Sequence, residues 1–353
     1  MAFTKNTSEH KMRINLSPRA EEVLQNDRTI YEVERGTFIN KVFEIYKDTA
    51  RASIALRMRD KKEGLDYLLS DAKLDGDSKQ VVIDKLLKAE EKELTEHKQE
   101  LLAESGVKGF HPIRINNANV EYLENICLED EYYGECHAAQ YIRAVLEEYC
   151  QMPFVQREKI YHHDVYEALQ RAIDNKETFV LYPVIDGKPV AKVVYPYKIM
   201  QDTLRSQSYL ACYTRDEDGS FADKRTAAFA MAKLNDVPKS RKNQKGKLGK
   251  EDISHLLTKI NTVGISYLLN DVEEIKVRLT DEGKRIFLKQ KLAGRPANFK
   301  VDKDDKNLFI FQCTRYQIRH YFMDFGKNAE IISPASLREE FKKDLQAALK
   351  LYT

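Results

Sequence analysis

The stretch Lys11-Met12-Arg13-Ile14-Asn15-Leu16 constrains this chain more than any other. Met12, Ile14 and Leu16 alternate with Lys11, Arg13 and Asn15, which is the period of a strand with one dry and one wet face. Ser17-Pro18 ends that strand and starts a helix, with Ser as N-cap and Pro at the first helical position. The helix is expected to run through Val23-Leu24 and to end near Arg35-Gly36. A second helix, from Thr37, carries Phe38, Ile39, Val42, Phe43 and Tyr46 on one stripe. A strand and two helices of about fifty residues cannot bury a sufficient core alone, so the unit needs a partner.

The chain supplies one. Ile113-Arg114-Ile115-Asn116 repeats the pattern of Met12-Arg13-Ile14-Asn15. A helix with Val120, Leu123 and Ile126 follows, then Tyr133-Gly134, then a second helix. There Tyr141, Ile142, Val145, Leu146 and Tyr149 match Phe38, Ile39, Val42, Phe43 and Tyr46. The offset runs only from 101 to 103 residues, so the two segments read as an internal repeat expected to pair as one antiparallel ribbon.

This unit resembles the ribbon-helix-helix family, with the family's usual dimer written into one chain. The resemblance implies a two-stranded ribbon whose outward side chains enter a DNA major groove. Those side chains are Lys11, Arg13 and Asn15 in the first copy, and Arg114 and Asn116 in the second. The helix start at Gly36-Thr37, and its counterpart after Gly134, would offer backbone N–H groups to phosphate.

Charge distribution qualifies that expectation. The formal net charge is only +2, but residues 188–250 hold 14 basic and 6 acidic side chains. Residues 61–105 hold 8 and 12, and residues 106–160 hold 5 and 9. The main nucleic-acid surface is therefore expected within 188–250. The Leu128-Glu129-Asp130-Glu131 loop weakens the case for the second ribbon unit as an equal phosphate contact.

Residues 59–105 read as a charged helical connector, with Val81, Val82, Leu86, Leu94, Leu101 and Leu102 in an incomplete apolar stripe. After Pro153 a helix is expected through Val165, Leu169 and Ile173. The period then changes to that of strands: Thr178–Tyr182, a hairpin at Asp186-Gly187, Val190–Tyr195, Ser208–Tyr213, a turn at Asp218-Gly219, and Ala227–Leu234. Short antiparallel strands led by a helix suggest a small barrel.

Here the chain resembles the WYL domain, which implies an Sm-like β-barrel. The matching residues are Tyr195-Pro196-Tyr197-Lys198-Ile199 and Ser208-Tyr209-Leu210, with a strand near Phe229. Ser208 stands in the place of the family's name-giving Trp, and the last strand keeps only Lys233 of its usual charged residues. The pocket carried over comprises Lys192, Tyr197, Lys198, Arg205, Tyr209, Arg215 and Lys233. Rings beside Lys and Arg form a platform for unstacked bases. The tail, Phe325-Gly326 through Ser333-Pro334 to Leu337-Arg338-Glu339-Glu340-Phe341, resembles the extension that often follows WYL domains. The strands expected there are Ile275–Leu279 and Leu308–Phe311, and the helices are Tyr316–Phe325 and Ser336–Tyr352. Between barrel and tail, Lys239–Lys250 carries six basic residues and no acid, a candidate phosphate-contacting arm.

The fold class expected is α+β. Its parts are ribbon-helix-helix unit 1 (1–58), the connector (59–105), ribbon-helix-helix-like unit 2 (106–155), a WYL domain with leading helix and basic loop (156–250), and a small α+β extension that homodimerises (251–353). No apolar run approaches the roughly 20 residues of a membrane helix, and no signal-peptide core opens the sequence. The five cysteines (127, 136, 150, 212, 313) are scattered without a CxxC, as expected of free thiols in a reducing cytoplasm. No hydrolase, phosphate-loop or metal motif is present, so no enzyme activity, metal or cofactor is expected. Arg157…His162 and Arg315…His320 have the spacing of a HEPN nuclease signature, but chance accounts for both. The whole arrangement resembles the WYL accessory proteins of type VI-D CRISPR loci. That resemblance implies single-stranded RNA binding and stimulation of an RNA-guided CRISPR ribonuclease. The alternative is a DNA-binding transcriptional regulator with a ligand-sensing WYL domain.

Overall fold

The expected pairing of the two repeat strands is present in the computed structural model, which describes residues 10–70, 75–103, 106–107, 110–126, 138–185, 188–202, 207–234, 247–269, 271–289 and 294–352. Strand β1 (Lys11–Met12) runs antiparallel to β2 (Ile113–Arg114), with Lys11 opposite Arg114 and Met12 opposite Ile113. Backbone contact continues past both strands. Ile115 donates its N–H to the His10 carbonyl at 2.9 Å, and Val107 donates to the Leu16 carbonyl at 2.7 Å. Ile14 and Leu16 are buried while Lys11 and Arg13 are exposed, so the alternation holds where the ladder has ended.

The chain divides into two compact units, residues 1–163 and 164–353. In the first, α1 (Pro18–Ile30) starts on the Ser17 cap, whose Oγ accepts the Ala20 N–H at 3.3 Å. It stops at Ile30, earlier than Arg35-Gly36, because the chain reverses at Glu32 with a φ of 55°. No glycine marks that turn. Helix α2 (Arg35–Arg51) then begins two residues before Thr37. Its stripe Phe38, Ile39, Val42, Phe43 and Tyr46 is buried, as is Tyr141, Ile142, Val145, Leu146 and Tyr149 of the second copy.

Two helices, α3 (Ser53–Leu68) and α4 (Gly76–Ala103), pack side by side between the copies. Val81, Val82 and Leu86 of the expected stripe are exposed, and Ile83 is buried instead. The inward face of α4 runs through Ile83, Glu90, Leu94 and Lys98, and its ion-paired residues interrupt the hydrophobic pattern. The second copy follows as α5 (Asn117–Ile126) and α6 (Ala138–Gln151). Gly134 and the 128–131 loop lie outside the described residues. After Pro153 two helices stand in place of one, α7 (Phe154–Tyr161) and α8 (His163–Asp174), broken at His162.

The second unit opens with α8, β3 (Phe179–Leu181), and the short pair β4 (Val184–Ile185) and β5 (Lys188–Pro189) flanking the expected hairpin. Strands β6 (Lys192–Asp202), β7 (Gln207–Asp216) and β8 (Arg225–Ala230) complete a sheet in the order β3-β6-β7-β8. Strand β6 runs seven residues past the expected end at Tyr195 by taking a bulge between Pro196 and Lys198. The expected strand Ala227–Leu234 is present to Ala230 as the end of β8, and its remainder is a 3-10 turn at Met231–Lys233. Among the described residues the sheet is open. One face packs Val194, Leu210 and Cys212 against Val165 and Leu169 of α8. The other packs Val193, Tyr195 and Ala211 against Leu256 of α9 (Lys250–Val263). The inner stretches Val193–Tyr195 and Tyr209–Tyr213 accordingly read as continuous hydrophobic sequence.

The tail is α+β, in two layers. Strand β9 (Glu273–Leu279), α10 (Asp281–Lys289), β10 (Phe299–Val301), β11 (Leu308–Cys313), α11 (Arg315–Phe322), β12 (Ala329–Ser333) and α12 (Ala335–Leu349) give a βαββαβ unit with sheet order β10-β11-β9-β12. Ile275, Val277 and Leu279 face Phe287, Phe322 and Phe341 from the three helices. Strands β9 and β11 and helices α11 and α12 match the expected elements, and α10, β10 and β12 are additional to them.

Candidate nucleic-acid interface

The ribbon is held by groups that no motif reading selected. Arg35 lies at the start of α2, and its Nη2 donates to the Ile14 carbonyl at 2.8 Å while Nε and Nη2 bind Glu21 at 3.1 and 2.9 Å. Its guanidinium also covers the Phe110 ring at 4.3 Å. Asn40, one turn along α2, donates to the Arg114 carbonyl at 2.8 Å and accepts the Asn116 N–H at 2.8 Å. Both strands are therefore fastened to one helix.

The two copies also cap one another. Glu147 of α6 accepts from the Ser17 N–H at 2.6 Å and the Ser17 hydroxyl at 2.7 Å, at the head of α1. Glu44 of α2 accepts from the Asn116 amide at 3.2 Å, at the head of α5, and Asn116 Oδ1 accepts the Asn119 N–H at 2.8 Å. This reciprocity is what an isologous dimer interface provides between two chains. Beneath it, buried Asp27 accepts from Arg157 Nε and Nη2 at 2.7 and 2.8 Å and from the Tyr149 hydroxyl at 3.1 Å. Burial, and then the Asp27 charge, pushes the Tyr149 hydroxyl and the Cys150 thiol up, so both stay protonated.

What remains outward is a short cationic face. Lys11, Arg13 and Arg114 are exposed. Arg13 and Arg114 make no side-chain hydrogen bond or ion pair among the described residues. Lys11 directly opposes Arg114 across the ribbon. Asn15 is half-buried, its backbone covered by Gly106, where a Cβ would meet the Asn15 carbonyl oxygen at 2.3 Å. Asn116 is half-buried and committed to its cap. Gly36 and Thr37 sit in the first turn of α2, which has no side-chain cap and no acidic residue within it.

In the sheet of the second unit the expected set is divided. Arg215 is buried: its Nε donates to the Tyr195 hydroxyl at 3.0 Å, and Nη1 donates to the Asp216, Glu217 and Gly219 carbonyls at 2.8, 2.9 and 2.9 Å. It fastens the β7–β8 turn. Lys192 pairs with Asp216 across the strands, and Tyr209 is buried with its hydroxyl 3.2 Å from Gln207. Lys198, just past the bulge, and Lys233 are exposed, and Tyr197 is half-buried. Tyr182 is the most open of the sheet tyrosines at 61%. Arg205 and the 239–246 part of the basic arm lie outside the described residues.

Residues 271–349 match the WCX domain. The WCX segment thus coincides with the βαββαβ unit and α12. Over the whole chain, the fold is shared with a solved structure described as a CRISPR Cas-related protein. The TM-score is 0.62 and the identity 17%, covering 98% of this chain and 95% of that one. The proteasome accessory factor B/C of Arthrobacter aurescens aligns at a TM-score of 0.31 and 12% identity, over all of this chain and 51% of its own, too low a score to speak to the fold. No curated protein matches the chain in sequence. Among the described residues no helix is long and apolar enough to cross a membrane.

Proposed function

We propose that this chain is a nucleic-acid-binding regulatory protein of a CRISPR system, its first unit a ribbon-helix-helix module made from one chain. The observation that carries this is the outward face of Lys11, Arg13 and Arg114, with two cations directly opposed across the ribbon. The WCX segment and the whole-chain likeness to a CRISPR Cas-related protein support the system. In this reading the four-stranded sheet is a WYL module of the Sm-like kind. Lys198, Lys233, Tyr197 and Tyr182 supply single-strand contacts, RNA is the favoured ligand, and the protein stimulates an RNA-guided CRISPR ribonuclease without catalysis of its own. Binding to matched single-stranded RNA, single-stranded DNA and duplex DNA at two salt concentrations tests it. Tightest binding to single-stranded RNA is expected. Binding confined to duplex DNA replaces this reading with a DNA-binding transcriptional regulator, which the opposed ribbon cations favour because such a ribbon fits the major groove.

The C-terminal extension is proposed to form a homodimer. Along β12 and α12 a groove of about 320 Å³ is lined by Ile331, Phe341, Leu345 and Leu349, of which Leu345 and Leu349 are 41% and 64% exposed. Leu345→Asp with Leu349→Asp is expected to give a monomer in sedimentation equilibrium. A mass that stays dimeric removes this face from the interface.

A further inference from the structure

The root of the α3–α4 pair encloses space that the proposed function does not use. A cavity of about 150 Å³ lies between α3, α4 and α6. Buried Ile54 and Ala144, with half-buried Leu94, form its apolar wall. At its side Lys98 Nζ lies 2.9 Å from the Glu148 carboxylate and 2.8 Å from Ser53 Oγ. Glu148 also accepts the Tyr46 hydroxyl at 2.7 Å. Burial, and then the Glu148 charge, holds the Tyr46 proton in place. This carboxylate is satisfied from within, so it presents little negative charge to a guest. The more open lining groups are Arg57, whose side chain is 63% exposed and pairs with Glu90 at the longer distance of 3.5 Å, and exposed His97.

Hydrocarbon-lined space of this volume holds one aromatic ring. A guanidinium among its lining groups selects, among ring compounds, the one bearing a carboxylate. We propose that this cavity binds a small planar aromatic carboxylate, with its ring on Ile54, Leu94 and Ala144 and its carboxylate on Arg57. The same turn of α6 carries Glu147, which grips the head of α1, so an occupant bears on the helix that holds α1 in place.

Benzoate, benzyl alcohol and benzylammonium, equal in ring size, test this by calorimetry on the full chain. Benzoate is expected to bind with a Kd on the order of 1 mM, in keeping with its few atoms. The alcohol should bind about tenfold more weakly, and the ammonium should not bind. Arg57→Gln, an exposed change, should weaken benzoate about tenfold and leave the alcohol unchanged. Ala144→Leu, or Ala144→Val if the larger side chain prevents folding, should fill the space and remove binding of both. The proposal is overturned if benzoate does not bind, if benzylammonium binds as well as benzoate, or if benzoate keeps its affinity in the filled variant.

Discussion

Replacing Lys11, Arg13 and Arg114 together by Gln should abolish most binding to duplex DNA and leave the melting temperature unchanged. All three side chains are exposed. Lys11 and Arg114 face each other across the ribbon, outside the packed core. Each lost phosphate contact lowers the magnitude of the salt slope by about 0.9, so three lower it by about 3. Fluorescence anisotropy at several salt concentrations reads both quantities. The companion variant Lys198→Gln with Lys233→Gln should instead weaken single-stranded RNA, where each contact contributes a slope of about 0.7. A triple variant with an undiminished slope on both ligands would remove the ribbon from the interface. If the ribbon variant loses duplex binding while the sheet variant keeps full RNA binding, the accessory-protein reading gives way to the transcriptional regulator.

Asp27→Ala should destabilise the first unit by about 3–5 kcal/mol, the cost of leaving a partly buried guanidinium without its carboxylate. Asp27 is 1% exposed and receives three hydrogen bonds, two of them from Arg157. The double change Asp27→Leu with Arg157→Met should recover most of that loss, because removing a buried pair together is far less costly than removing half of it. Urea unfolding followed by circular dichroism measures both. A loss under about 1 kcal/mol for the single change would show the network to be dispensable. The pair also gives Arg157 a structural task. Arg315 has one too, bonded to Glu273 and Glu340.

The parts of the fold legible in the sequence are those written in period and cap. Ser17-Pro18, the two five-residue stripes and the matched strands depend on local chemistry repeated at fixed spacing, and each is where it was expected. The turn at Glu32 was missed because a non-glycine residue takes the left-handed conformation there. Of the inward face of α4 only Leu94 belongs to the expected stripe, because Glu90 and Lys98 also sit on that face. Strand β10 is only three residues long, too short for an alternation to show. At the candidate site, charge and parity singled out Lys11, Arg13 and Arg114. Neither told that Asn116 would be spent on a cap or Arg215 on three carbonyls, because those partners come from folding and not from spacing. Asn40, which fastens the second strand, occupies the position of Arg143 in the other copy, so the repeat itself concealed it.

The reciprocal grip of Glu147 on Ser17 and Glu44 on Asn116 belongs to one polypeptide, and this changes what such an interface can recognise. Two identical subunits must read the same thing twice, in opposite orientations. Joined copies do not separate on dilution, and each is at liberty to change without the other. Here one half presents Lys11 and Arg13 while the other presents Arg114 alone, beside an asparagine turned inward. A surface with unlike ends has a front and a back. Whatever lies along this ribbon is therefore held in one direction, and its mirror placement is not equivalent.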